Sequence, residues 1–210
     1  MFQEKKQLPE FHGIFLRGIG NVFVHQGDEH SIRVESNQDL SGRIRAEVRN
    51  DELEISFYDT IPVWLISFPR LDIHITLKQL NSIRMAGVGR MSTPQMIKAD
   101  TIHLVNSGVG GLMVDVEAET VITTLKGVGE IQVRGKSVKH DVEISGTGKV
   151  DAGQLEAENV RVQSRGVGEC TVNAKVKLEI EASGIGKVRY RGNPEVTSRQ
   201  TGLGSIERIP

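Results

Sequence analysis

Cysteine is almost absent from this chain. One residue, Cys170, stands among 210, which excludes an internal disulfide framework and any multi-cysteine zinc site. Long apolar runs are missing too. None approaches the roughly 20 residues of a membrane helix, so direct membrane insertion is not expected. The opening "MFQEKKQLPEF" lacks the apolar core of a signal peptide. Neither sign of charge is in excess, with 26 Lys+Arg against 27 Asp+Glu. That argues against nucleic acid as a partner, and against any partner held by bulk electrostatics. Aromatic residues all but vanish after residue 68. Phe2, Phe11, Phe15, Phe23, Phe57, Tyr58, Trp64 and Phe68 precede that point, and only Tyr190 follows.

What replaces them is glycine at fixed intervals. Gly-x-Gly begins at Gly87, Gly108, Gly127, Gly146, Gly166, Gly184 and Gly202, with spacings of 21, 19, 19, 20, 18 and 18, and an earlier copy stands at Gly18. The flanks alternate apolar and polar, as in "DVEISGTGKVDA", where Val142, Ile144, Val150 and Ala152 share one parity. A unit of this length cannot hold two strands and a helix. It can hold one rung of a coil of short strands, and stacking rungs about 4.8 Å apart buries a continuous core. The spacing therefore predicts an all-β, single-stranded parallel β-helix of about seven rungs. Four residues after each first glycine come Met91, Leu112, Ile131, Val150, Cys170, Val188 and Ile206, an inward apolar ladder. Cys170 belongs to it and reads as a core residue, not a nucleophile. One residue earlier stand Arg90, Gly111, Glu130, Lys149, Glu169, Lys187 and Ser205. The alternating signs of Glu130, Lys149, Glu169 and Lys187 form a structural charge ladder that disfavours a register slip. Continued alternation puts both glycines of each motif on the inward parity, leaving space where the coil turns.

The first third has another texture. Ile44, Ala46 and Val48, a turn at Asn50-Asp51, then Leu53, Ile55 and Phe57 read as a β-hairpin. Before it, "FHGIFLRGIGNVFVHQGDEHSIRVES" reads as an imperfect first rung followed by a strand, and "YDTIPVWLISFPR" as an irregular, aromatic insertion covering an end or flank of the coil. The expected organisation is a tail over 1–10, an irregular β-rich segment over 11–70 packed on the coil, and the repeats over 71–210, with 11–210 one continuous domain.

These residues resemble the bacterial family "putative auto-transporter adhesin, head GIN domain". Phe11, Gly18, Val22, Val24 and Gln26-Gly27 match its opening, "LDIHITLKQLNSIRMAGVG" its lead-in, and the recurring Gly-x-Gly the remainder. The resemblance implies a right-handed coil and a cell-envelope or secreted location. It implies no catalytic residues. Family members begin with a signal or lipoprotein segment, and none is visible here.

Chemistry is sparse. The aligned rungs give no stack of carboxylates, since Lys149 separates Glu130 from Glu169, and glycoside hydrolysis needs two convergent carboxyls. The histidines (His12, His25, His30, His74, His103, His140) lack ligand spacing. No nine-residue Asp repeat suggests calcium, and no Gly-x-Gly-x-x-Gly precedes a helix. Catalytic, cofactor and metal sites are therefore not expected. The one feature with a functional reading is the row of middle residues, Val88, Val109, Val128, Thr147, Val167, Ile185 and Leu203. Pointing outward, they form an aliphatic stripe and an interface, including one between copies of the chain; turned inward, they form a second core ladder. The expected role is a non-catalytic binding, adhesion or scaffold module of the bacterial envelope, presenting a rigid face to a glycan or protein. The alternatives are a self-assembling, cytoskeleton-like structural protein and, third, a carbohydrate-active enzyme.

Overall fold

The computed structural model describes residues 2–37, 43–57 and 71–210. The expected insertion, with Tyr58, Pro62, Trp64, Phe68 and Pro69, lies outside the described residues. Before it come β1 (Phe2–Gln7), β2 (Gly13–Leu16), β3 (Ile19–Gln26), β4 (Ser31–Ser36), β5 (Ile44–Arg49) and β6 (Glu52–Phe57). After it come β7 (Leu71–Leu77), β8 (Ser82–Met85), β9 (Val88–Ser92), β10 (Ile97–Asn106), β11 (Val109–Leu125) and β12 (Val128–Ile144). The last are β13 (Thr147–Ser164), β14 (Val167–Ala182), β15 (Ile185–Arg191), β16 (Glu195–Gln200) and β17 (Leu203–Arg208). All of them belong to one hydrogen-bonded sheet wound into a β-solenoid of about seven turns.

The regular rungs follow the glycine spacing. Each of β11, β12, β13 and β14 starts at the middle residue of one Gly-x-Gly and ends just before the next, pairing in parallel with its neighbours. The inward ladder is in register: Met91, Leu112, Ile131, Val150, Cys170 and Val188 are buried, and Ile206 on the last rung is half-buried. Each such aliphatic side chain contributes about 1.5–3 kcal/mol by leaving water. Cys170 is among them, and burial pushes its thiol up to about 12. The unequal repeat lengths are absorbed away from the glycines. The extra residue of β13 falls between Asp151 and Gln154, opposite Gln132 and Arg134 of β12, so the Gly-x-Gly corners stay aligned.

The first third supplies rungs of its own. β2 lies between β6 and β8, and β3 between β7 and β9, all in parallel. The chain thus begins in one rung, lays the rung of β6 and β7 on its outer side, then passes back to continue with β8 and β9. The change of composition near residue 70 is not a boundary in the stack. β5 and β6 form the expected hairpin, with Asn50 and Asp51 at φ 49° and 67°, the left-handed pair of a tight two-residue turn. Residues 2–7, expected as a tail, are the strand β1. It pairs antiparallel with β4, and β4 with β7, so this flank of the stack ends in antiparallel strands. A polar segment serves there because the strand is held by its backbone pairing to β4, with Lys5 and Gln7 each donating to Glu29 at 2.9 Å, and needs no apolar face.

Candidate interaction surface

The Gly-x-Gly corner sets the geometry of the surface. The amide of each middle residue donates to the first glycine of the preceding rung: Val109 N to Gly87 O at 3.0 Å, Val128 N to Gly108 O at 2.9 Å, Ile185 N to Gly166 O at 2.9 Å. A Cβ on the first glycine would fall inside that same carbonyl oxygen, and one on the second glycine inside the carbonyl of its counterpart one rung back. The second glycine also carries a φ of 137° to 148° at Gly89, Gly110, Gly129, Gly148, Gly168 and Gly186. The missing Cβ atoms therefore point along the stack at the neighbouring backbone, rather than into the coil as alternation suggested. Contact between rungs requires the glycines.

With both glycines so used, the middle side chain has one direction left. Val88, Val109, Val128, Thr147, Val167, Ile185 and Leu203 all point to solvent, so the second core ladder does not form. Ile19, in the copy at Gly18, extends the row by one rung, and the aliphatic members are between 40% and 75% exposed. Ile19 was missed by the sequence reading, although Gly18-Ile19-Gly20 carries the same signal. The result is a straight aliphatic ridge crossing eight rungs, interrupted once by the hydroxyl of Thr147. Beside its first rungs runs a groove of about 700 Å³, whose floor includes Gly111 between Arg90 and Glu130.

The charge ladder flanks this ridge. Glu130, Lys149, Glu169 and Lys187 are consecutive partners across β12 to β15. Their side chains do not simply pair in sequence. Lys149 Nζ lies 2.8 Å from Asp151 on its own strand and 3.8 Å from Glu130. Glu169 accepts from Arg189 at 3.0 Å. Residues two apart on a strand share a face, so a same-strand partner competes with the adjacent rung. The hydrogen bond to Asp151 and the surrounding carboxylates raise the Lys149 ammonium above its ordinary range. Burial alone pushes the Asp151 carboxyl up, but Lys149 and the Gly153 amide outweigh it and hold it low.

A second face is polar. Asp141, Arg161, Glu179 and Thr197 are aligned across β12, β13, β14 and β16, and Glu143, Gln163, Glu181 and Arg199 run parallel to them. Gln163 donates to Glu181 at 3.1 Å, and Arg161 lies 3.9 Å from the same carboxylate. A shallow groove of about 200 Å³ opens among Ile122, Thr124, Asp141, Glu143, Arg161 and Gln163. Among the described residues, no three His, Cys, Asp or Glu side chains converge to hold a metal ion, and no helix is long and apolar enough to cross a membrane. Tyr190 is half-buried against the core, with Val172 and Arg208 as its partners in register.

Solved structures share this fold. A "putative adhesin" from Bacteroides fragilis NCTC 9343 superposes with a TM-score of 0.93 at 24% identity, covering 99% of this chain and 96% of that one. A "putative lipid binding protein" from Parabacteroides distasonis ATCC 8503 gives 0.76 at 18% identity, covering 100% and 96%. A "putative adhesin" from Parabacteroides merdae ATCC 43184 gives 0.71 at 18%, again covering 100% and 96%. None of the curated proteins matches. The model of the family "Putative auto-transporter adhesin, head GIN domain" matches residues 10–194, and the chain belongs to that family.

Proposed function

We propose that this protein is a non-catalytic adhesion module of the bacterial cell envelope that presents a rigid lateral face to a surface glycan or protein. Family membership points to adhesion. The observation that supports this reading is the polar face of β12, β13, β14 and β16. There, carboxylates, two arginines, an amide and a hydroxyl follow one another at the rung spacing with their backbone held in parallel register. Such a face offers many weak, evenly spaced hydrogen bonds to an extended ligand, and little ordering cost is left to the protein side. A glycan chain or an extended peptide has the donors and acceptors to answer it.

The test is binding of the full chain to an array of bacterial surface glycans and to immobilised envelope proteins. Arg161→Ala with Gln163→Ala serves as the paired variant. The reading expects a ligand whose retention falls at least about tenfold in that variant, a loss of about 1.4 kcal/mol. It also expects that no product forms from the ligand on prolonged incubation. Ligand turnover, or binding untouched by changes on this face, overturns it.

A further inference from the structure

We infer that the aliphatic ridge is a homodimer interface, in which a second copy of this chain packs ridge to ridge with the two coil axes parallel. The argument rests on the residues two before and two after each ridge position. In order along the coil, these flanking pairs are Arg17 and Asn21, Ala86 and Arg90, Ser107 and Gly111, Lys126 and Glu130, Ser145 and Lys149, Arg165 and Glu169, Ser183 and Lys187, and Thr201 and Ser205. A two-fold axis parallel to the coil brings each rung opposite its own copy, and sets the leading flank of one chain against the trailing flank of the other. Wherever the trailing flank is acidic, the leading flank is cationic: Glu130 meets Lys126 of the second copy, and Glu169 meets Arg165. Wherever the trailing flank is cationic, at Arg90, Lys149 and Lys187, the leading flank is neutral. No rung sets like charges together.

The ridge itself obeys the same rule. Its one hydroxyl, Thr147, meets Thr147, and each aliphatic side chain meets its own copy. Turning the second copy end for end about the Thr147 and Val167 rungs would instead face the Thr147 hydroxyl with a valine. An end-for-end pair that engages all eight rungs must instead be centred between Val128 and Thr147, where it faces the Thr147 hydroxyl with Val128 and sets Arg90 against Lys187 of the second copy. The backbone amides of Lys126 and Arg165 bond to the preceding rung, and among the described residues their side chains have no hydrogen-bond or ion-pair partner, so both are available to a second copy. Seven steps of about 4.8 Å make the ridge about 34 Å long. With a width near ~10 Å it buries roughly 340 Å² per partner, well below the roughly 800 Å² of a standard stable interface. The dimer is accordingly weak and reversible, suited to copies already crowded on a surface.

The experiment combines sedimentation with single-cysteine crosslinking of the full chain. Val88→Cys, Thr147→Cys and Leu203→Cys are made one at a time, with Val176→Cys, exposed but off the ridge, as control. The buried Cys170 thiol stays out of the reaction. Each ridge variant is expected to form a disulfide-linked dimer under mild oxidation, and the control is not. Reversing the leading flank, Lys126→Glu with Arg165→Glu, is expected to weaken the dimer at least about tenfold. Adding Glu130→Lys and Glu169→Lys to the same chain is expected to restore it, a rescue that a merely unfolded variant cannot give. Three results overturn the inference. One is a parent chain that sediments as a monomer up to about 1 mM. The others are crosslinking at Thr147→Cys without the two end positions, the mark of an end-for-end pair, and a charge reversal without effect.

Discussion

Gly110 and Gly111 are neighbours in sequence, and the structure assigns them opposite sensitivities to one methyl group. A Cβ at Gly110 would sit inside the carbonyl oxygen of Gly89 on the preceding rung, at a φ of 137° that L side chains rarely adopt. A Cβ at Gly111 meets nothing nearer than Glu130 O at 3.7 Å, an ordinary van der Waals contact. Gly110→Ala must distort the backbone, at about 1–3 kcal/mol. It must also push two rungs apart, straining the neighbouring bond from Val109 N to Gly87 O, at a further 1–3 kcal/mol or so. The sum is about 2–6 kcal/mol, a large part of the roughly 5–15 kcal/mol of a typical domain. Gly111→Ala should be neutral or stabilising by up to about 1 kcal/mol, because the unfolded chain loses freedom and the native strand accepts the methyl. Urea unfolding followed by far-ultraviolet circular dichroism reads both. Equal midpoints for the two variants, or a Gly110→Ala midpoint at the parent value, would refute the claim that rung contact requires the glycines.

Three further outcomes follow from buried polar groups. His140 is fully buried beside Thr123, with Thr123 Oγ1 3.1 Å from Nε2, and burial lowers its pKa from 6.5 to about 4. Between those values the unfolded chain binds the proton and the folded chain does not, so stability is lost as pH falls from 6.5 towards 4, by about 3 kcal/mol in all. The double change His140→Leu with Thr123→Val should abolish that part of the pH dependence, measured as the difference in urea midpoints between pH 7 and pH 4.5. Asn106, wholly buried, ties the corner by donating to Gly110 O at 3.1 Å and accepting from Gly108 N at 3.1 Å. Asn106→Ala should cost about 2–3 kcal/mol, read from the same unfolding curves. The Cys170 thiol should resist a maleimide in native protein at pH 8 and react fully in denaturant, followed by mass spectrometry.

How far the sequence reading reached depends on which forces are local. The rung length, the inward ladder from Met91 to Val188 and the Asn50-Asp51 hairpin were all legible. Alternation and turn chemistry are properties of a few consecutive residues. The order of the first rungs was not. Nothing within "IGNVFVHQ" says that β7 pairs on one side of it and β9 on the other, because equivalent strands carry equivalent patterns. The strand β1 was hidden for a related reason: "FQEKKQ" shows no apolar face and is held by its backbone bonds to β4. The ladder of Glu130, Lys149, Glu169 and Lys187 was legible as a register, but Asp151 and Arg189 as competing partners require side-chain positions. The outward ridge was seen as one of two arrangements. Choosing between them needs the direction of each glycine's missing Cβ, which only the neighbouring rung defines.

The central claim is that one Gly-x-Gly marks one rung, and distances between spin labels test it most directly. Labels are placed by Val88→Cys with Val167→Cys and by Val88→Cys with Leu203→Cys, in a Cys170→Val background. Four rung steps separate the first pair and six the second, so the backbone separations should be about 19 Å and about 29 Å. Narrow distance distributions whose maxima differ by about 10 Å are expected. A second distance no longer than the first, or an increment several times larger, would mean that Leu203 does not lie two rungs above Val167 and would contradict the stacked-rung account.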